Sequence, residues 1–250
     1  MKYMEKHPML MIVIGIFGIS LSAIFVKYST APSAVTAAFR LLWTVFLMSP
    51  VVWGKKDVRE ELLHVNKKEF AFSALSGLFL AIHFALWFES LQYTSVASST
   101  SIVCTEVIWV ALGFCLFLKG KLSKKAILAI GITFAGSLII AYADSSAGDV
   151  HLYGDFLALV AAIAVAVYTL LGRIVRKNVS TNVYTYVVYT SCAAVLLVTC
   201  LIQGYHLLDY GMSAVVVGLL LSVFSTILGH SIFSWCLYNI RCCRLNGCSL

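Results

Sequence analysis

Eight apolar stretches, each about long enough to cross a bilayer, fill this 250-residue chain with short polar breaks between them. They lie near residues 9–27, 32–53, 70–90, 96–118, 124–142, 153–172, 183–203 and 213–238. A helix needs about 20 mainly apolar residues to span the hydrocarbon. With 61% hydrophobic and 12% charged residues, the chain has far more apolar surface than a water-soluble core absorbs. In lipid every backbone polar group must be satisfied within the fold. The expected fold class is therefore an all-α membrane protein, a polytopic helical bundle surrounded by the lipid bilayer.

The charges set orientation. With the N-terminus inside, the inner loops collect Lys2 and Lys6, then Lys55, Lys56, Arg59, Lys67 and Lys68, then Lys119, Lys121, Lys124 and Lys125, then Arg173, Arg176 and Lys177, and last Arg241 and Arg244. Only Lys27 and Arg40 fall elsewhere. The outer loops carry Asp144, Asp149, His151, His206 and Asp209. The positive-inside rule then places both termini in the cytoplasm of a multi-pass plasma-membrane protein. The first stretch follows a basic start, as a signal peptide does, but it is too long and more spans follow, so it reads as an uncleaved helix. The net charge of +7 belongs to these loops and not to a nucleic-acid surface. Cys104, Cys115, Cys192, Cys200 and Cys236 lie inside spans, where small apolar filler is their expected role.

The longest loop, Gly54 to Glu69, is a short amphipathic segment with Val58, Leu62 and Leu63 against charged residues, so no soluble catalytic domain is present. The pattern restarts near Ala143. Residues 1–142 form a first repeat of five helices, 143–150 a hinge, 151–238 a second repeat of three helices, and 239–250 a Cys-rich cytoplasmic tail. An odd number of spans before the hinge inverts the second half. Inverted repeats place a substrate site near the midplane between the halves.

Buried charges are costly in hydrocarbon, so intramembrane ionisable groups mark function first. Arg40 lies roughly 12 Å below the outer end of the second span, with Thr36 and Thr44 on its face. It is either an anion anchor or a structural arginine holding carbonyls or a partner acid. Glu106 falls near the midplane of the fourth span, free to couple to protons or cations or fixed in an ion pair with Arg40. Glu89 and Lys27, near span ends, reach the headgroups.

Ser73, Ser76, His83, Trp87 and Ser90 form an inward stripe on the third span, where His83 either contacts substrate or packs. A matching stripe on the eighth span comprises Gly218, Ser222, Thr226, His230 and Ser234. Thr94, Ser98, Ser101 and Thr105, the Ala158, Ala162 and Ala166 row, and the Gly131/Ala135 pair read as glue between helices. Trp43, Trp87, Trp109, Tyr168 and Tyr186 either line an aromatic cavity or anchor at the interfaces. Phosphate-loop, zinc-protease and serine-hydrolase motifs are absent from the sequence. Neither a cofactor, a metal nor an enzymatic activity is expected.

The order and spacing of GIFGISLSAIFVK (Gly15–Lys27), AAFRLLW around Arg40, WFESLQYTSVASSTSIV (Trp87–Val103), LSKKAILAIGITFAGSLII (Leu122–Ile140) and GDFLALVAAIAVAVYTLLGR resemble the EamA family of the drug/metabolite transporters. The resemblance implies two inverted five-helix repeats, a central cavity and export of amino acids or similar small metabolites. It matches Arg40 to the family's second-span arginine and Ser20 to Ser22 to its small polar turn. Substrate would contact Arg40, His83, Trp87, Glu106 and His230. Two departures stand out. Glu106 is near the position of a family proline, and the tail YNIRCCRLNGCSL replaces two further helices. A shifted reading frame or a truncated gene is the expectation for this tail. The leading reading is a secondary exporter that works by alternating access, and the alternative is a non-transporting fragment, or one that needs a second copy (a homodimer) or a complementing subunit.

Overall fold

The computed structural model describes residues 8–144 and 149–231, apart from some side chains within them, that of His230 included. Trp235, Cys236, Cys242, Cys243 and Cys248, residues 145–148 of the hinge and the whole tail lie outside the described residues.

Among the described residues every regular element is helical. The helices are α1 (Pro8–Lys27), α2 (Ser33–Gly54), α3 (Lys56–His64), α4 (Lys67–Tyr93), α5 (Val96–Cys104), α6 (Glu106–Leu118), α7 (Lys124–Asp144), α8 (Asp149–Val175), α9 (Thr181–Ile202) and α10 (Gly211–Leu220). A 3-10 turn (Leu207–Tyr210) precedes α10, and a π-helical segment (Leu221–Ser231) continues it. Six stretches have the length and hydropathy of membrane spans: Ser33–Gly54, Lys67–Tyr93, Val96–Leu118, His151–Val175, Thr181–Ile202 and Leu207–Gly229. Helices α1 and α7, of 20 and 21 residues, stand where the sequence places the first and fifth spans. At 1.5 Å per residue each is about 30 Å long, the thickness of the hydrocarbon.

Local chemistry sets the helix ends. The Asn66 side chain accepts from the Lys68 amide at the start of α4, Ser95 from Ser98 at the start of α5, and Ser180 from Val183 at the start of α9. Each satisfies an amide that the first turn leaves unpaired. Helix α6 ends at Lys119 in the left-handed region (φ 50°), where the Gly120 amide donates back to the Phe114 carbonyl at 3.0 Å.

Helix α4 occupies the centre, packed most extensively along α8 and next along α9. Helix α2 lies against α9 and α10, α1 runs along the π-helical segment, α5 and α6 cover α8, and α7 lies on α5. Small residues permit the closest crossings: Ala158, Ala161 and Ala162 have no exposed surface. Phe17, Phe46, Phe117 and Ile132 point outward, each at least 65% exposed, as a lipid-facing surface requires.

Three features add to or differ from expectation. The fourth span keeps its expected extent, Val96–Leu118, but its α-helix is interrupted at Thr105. The Ser137 hydroxyl of α7 takes the Ser101 carbonyl at 2.9 Å, the acceptor that the Thr105 amide would use in an α-helix. That amide turns instead to the Ile102 carbonyl at 3.0 Å, and the helix breaks there without a proline. The eighth span changes from α- to π-helix at Leu221. Finally, Gly131 and Ala135 are exposed, and a Cβ on Gly131 would meet nothing within 4 Å, so this pair packs no helix among the described residues.

Candidate functional site

Arg40 is fully buried where α1, α2, α4 and the π-helical segment meet. Its Nε donates to Thr226 Oγ1 at 2.9 Å and its terminal nitrogens to Ser225 Oγ at 3.0 Å and Ser22 Oγ at 3.2 Å. The guanidinium carbon stands 4.1 Å from the Phe84 ring centre and 5.9 Å from that of Phe88. One turn along α2, the Thr44 hydroxyl bonds to the Arg40 carbonyl at 2.8 Å and lies 2.9 Å from the Ser222 hydroxyl. The expected stripe on the eighth span thus turns inward through Gly218, Ser222 and Thr226, all buried, and meets Arg40 directly.

Close backbone approach makes this possible. A Cβ at Gly218 would lie 2.5 Å from the Phe39 Cβ and 3.2 Å from the Arg40 amide nitrogen, so only glycine lets α10 press on α2 here. The π-helical turn, wider than an α-turn, then presents Ser222, Ser225 and Thr226 together toward α2. Such turns recur at functional sites.

The hydrogen-bond partners of the guanidinium are neutral. Among the described residues the ion pair within 4.0 Å is Lys56–Glu60 on the surface, at 3.8 Å, so the fixed Arg40–Glu106 pair allowed by the sequence is not formed. Topology explains this, because α6 packs on α8 while α2 packs on α9 and α10. Glu106 is partly buried as the first residue of α6, just after the break. A helix N-terminus favours such a negative group.

His83 and Trp87 lie in the next layer. His83 Nδ1 is 3.0 Å from the Ala161 carbonyl oxygen of α8, which makes Nδ1 the protonated nitrogen. Its ring stacks on Trp87 at 5.8 Å and 19°. Trp87 is buried, and its Nε1 has no hydrogen-bond partner among the described residues. The remaining stripe residues of α4 are used in packing: Ser76 donates to the Tyr168 carbonyl at 3.2 Å and lies 2.6 Å from the Tyr184 hydroxyl. The Trp43 and Trp53 indoles likewise bond to Val215 and Tyr186.

Among the described residues Arg40 has no exposed surface, so the expected open central cavity does not reach it. Apolar grooves of about 170 Å³ and 160 Å³ lie between α6 and α7, beside Ile108 and Ile127, and between α4 and α9, beside Ile82 and Val195. Neither is lined by Arg40, His83, Trp87 or Glu106.

Sequence reading missed Asp155. Its Oδ1 accepts from Thr94 Oγ1 at 2.8 Å and from Ser98 Oγ at 3.0 Å, tying α8 to the turn between α4 and α5. An acid inside the sixth apolar stretch was the available signal. Ser225 was also missed, since it falls off the every-fourth-residue stripe that an α-helix would show.

The sequence profile of the EamA-like transporter family matches residues 7–142 and 152–242. The chain belongs to the EamA-like transporter family. This EamA-family chain is 25% identical over 209 residues, 80% of its length and 68% of the relative's, to an uncharacterized transporter of Archaeoglobus fulgidus. It is 25% identical over 175 residues to an uncharacterized transporter of Clostridium kluyveri, covering 64% of this chain and 56% of that one. The functional context of Arg40 is accordingly a multi-pass membrane transporter.

Proposed function

We propose that this EamA-family chain is a secondary carrier that exports small carboxylate-bearing metabolites, amino acids among them, across the plasma membrane by alternating access. One observation carries the reading: a guanidinium fully buried in a membrane bundle is bonded to hydroxyls and, among the described residues, to no carboxylate. Burying an ion costs several kcal/mol unless charge and hydrogen bonds compensate. A substrate carboxylate would supply the missing charge. It would displace weaker hydroxyl acceptors with a bidentate partner.

Helix pairing supports two inverted repeats with boundaries at 1–142 and 151–238. Helices α4 and α8 pair as α1 and the π-helical segment do, and α4 with α9 as α2 with α10. These pairs exchange when the two halves exchange. Arg40 bonds to Ser22 in the first half and to Ser225 and Thr226 in the second, so rocking of the halves would remake its contacts. In this reading His83, Trp87 and His230 line the route, and Glu106 couples or counters charge. The positive-inside pattern supports cytoplasmic termini.

The test is uptake and efflux of labelled amino acids and organic acids in vesicles containing the 250-residue chain. Concentration-driven flux is expected, and Arg40→Ala should abolish it while the chain stays folded. Undiminished flux in that variant sinks the proposal.

A further inference from the structure

We infer that the Arg40 site prefers a net-anionic organic acid, a carboxylate without an α-ammonium group, over the zwitterionic amino acid of the same skeleton. The inference rests on the reading of Arg40 as the substrate anchor, and it narrows the substrate class for that site.

A zwitterion brings two charges and needs two complements. Arg40 answers the carboxylate. An ammonium beside it would face a like charge and would need a carboxylate, a ring of carbonyls or an open aromatic face. Among the described residues, the groups that touch the guanidinium supply none of these. Its hydrogen-bond partners are the hydroxyls of Ser22, Ser225 and Thr226. Asp155 is committed to Thr94 and Ser98 at the α4–α5 turn, and Glu106 sits on α6, across α8.

The aromatic layer is also engaged. The guanidinium covers one face of Phe84 at 4.1 Å, and His83 covers one face of Trp87 at 5.8 Å. An ammonium on the Phe84 ring would share it with the like charge of the guanidinium, which weakens a cation–π contact there. The same layer instead holds a donor in want of an acceptor, the buried and unpartnered Nε1–H of Trp87. A leftover donor three residues along α4 from Phe84, the ring under the guanidinium, fits a second oxygen, such as the keto group of a 2-oxo acid, and repels a third N–H donor.

The experiment compares pairs that differ only at C2: 4-methyl-2-oxopentanoate with leucine, and phenylpyruvate with phenylalanine. Equilibrium binding of each labelled compound to the full chain in lipid nanodiscs is measured beside flux in vesicles. Each oxo acid should bind at least tenfold tighter than its amino acid. Arg40→Gln should lose at least tenfold in oxo-acid affinity. Trp87→Phe should weaken oxo-acid binding severalfold while leaving the thermal unfolding midpoint near that of the parent. Equal or tighter binding of the amino acids overturns the inference, as does absence of oxo-acid binding to a chain with cooperative unfolding. Arg40-dependent flux of amino acids without oxo-acid preference would keep the carrier and refute this selectivity. Preferential oxo-acid binding without flux would keep the selectivity and refute the carrier.

Discussion

Replacing Ser225 by alanine removes the acceptor 3.0 Å from a terminal nitrogen of Arg40 in a site with no exposed surface. A hydrogen bond to a charged group contributes about 1.5–3 kcal/mol, and a buried donor left without a partner loses all of it. Ser225→Ala should therefore destabilise the bundle by about 1.5–3 kcal/mol. Arg40→Met is a different perturbation. It deletes the three hydroxyl bonds, together worth roughly 4.5–9 kcal/mol at that rate. It also removes a desolvation penalty of several kcal/mol, and apolar replacement of buried ions is often neutral or stabilising. The net change should be small. In the Arg40→Met background Ser225→Ala should cost less than about 0.5 kcal/mol, so the double-mutant cycle should return a coupling of about 1–3 kcal/mol. Unfolding in mixed detergent micelles, followed by circular dichroism, measures all four corners. A coupling below about 0.5 kcal/mol would refute the idea that these hydroxyls solvate the guanidinium.

Gly218→Val should push α10 off α2, because even a Cβ would lie 2.5 Å from that of Phe39; a loss of about 1–3 kcal/mol in the same unfolding assay is expected. Asp155→Ala leaves the Thr94 and Ser98 hydroxyls without their acceptor, and should cost about 1–3 kcal/mol and speed amide exchange over residues 94–99. With native cysteines removed, Lys121→Cys should react with an impermeant maleimide only from the cytoplasmic side and Asp209→Cys only from the outside; the opposite pattern would reverse the proposed orientation.

Much of this protein is legible without coordinates. Span length and hydropathy locate the helices, since the bilayer imposes one thickness and one requirement on backbone hydrogen bonds. The buried stripe Ser73, Ser76, His83, Trp87 and Ser90 follows from helical period alone, and all five are buried. Arg40 stands out by the cost of its charge. Sequence could not say whom it meets, because the Ser225 and Thr226 partners are 185 and 186 residues away and become neighbours only when a π-helical turn packs on α2.

The extent of the fourth span was legible, but its interruption at Thr105, beside which Ser137 of α7 donates to the Ser101 carbonyl, involves a contact between helices that no local propensity contains. Sequence alone determined the membrane-embedded helical class and the few residues too polar to be accidental there, because those follow from transfer free energies of single groups. Only tertiary structure decided that Arg40 rests on hydroxyls and not on Glu106, because that choice depends on which helices touch.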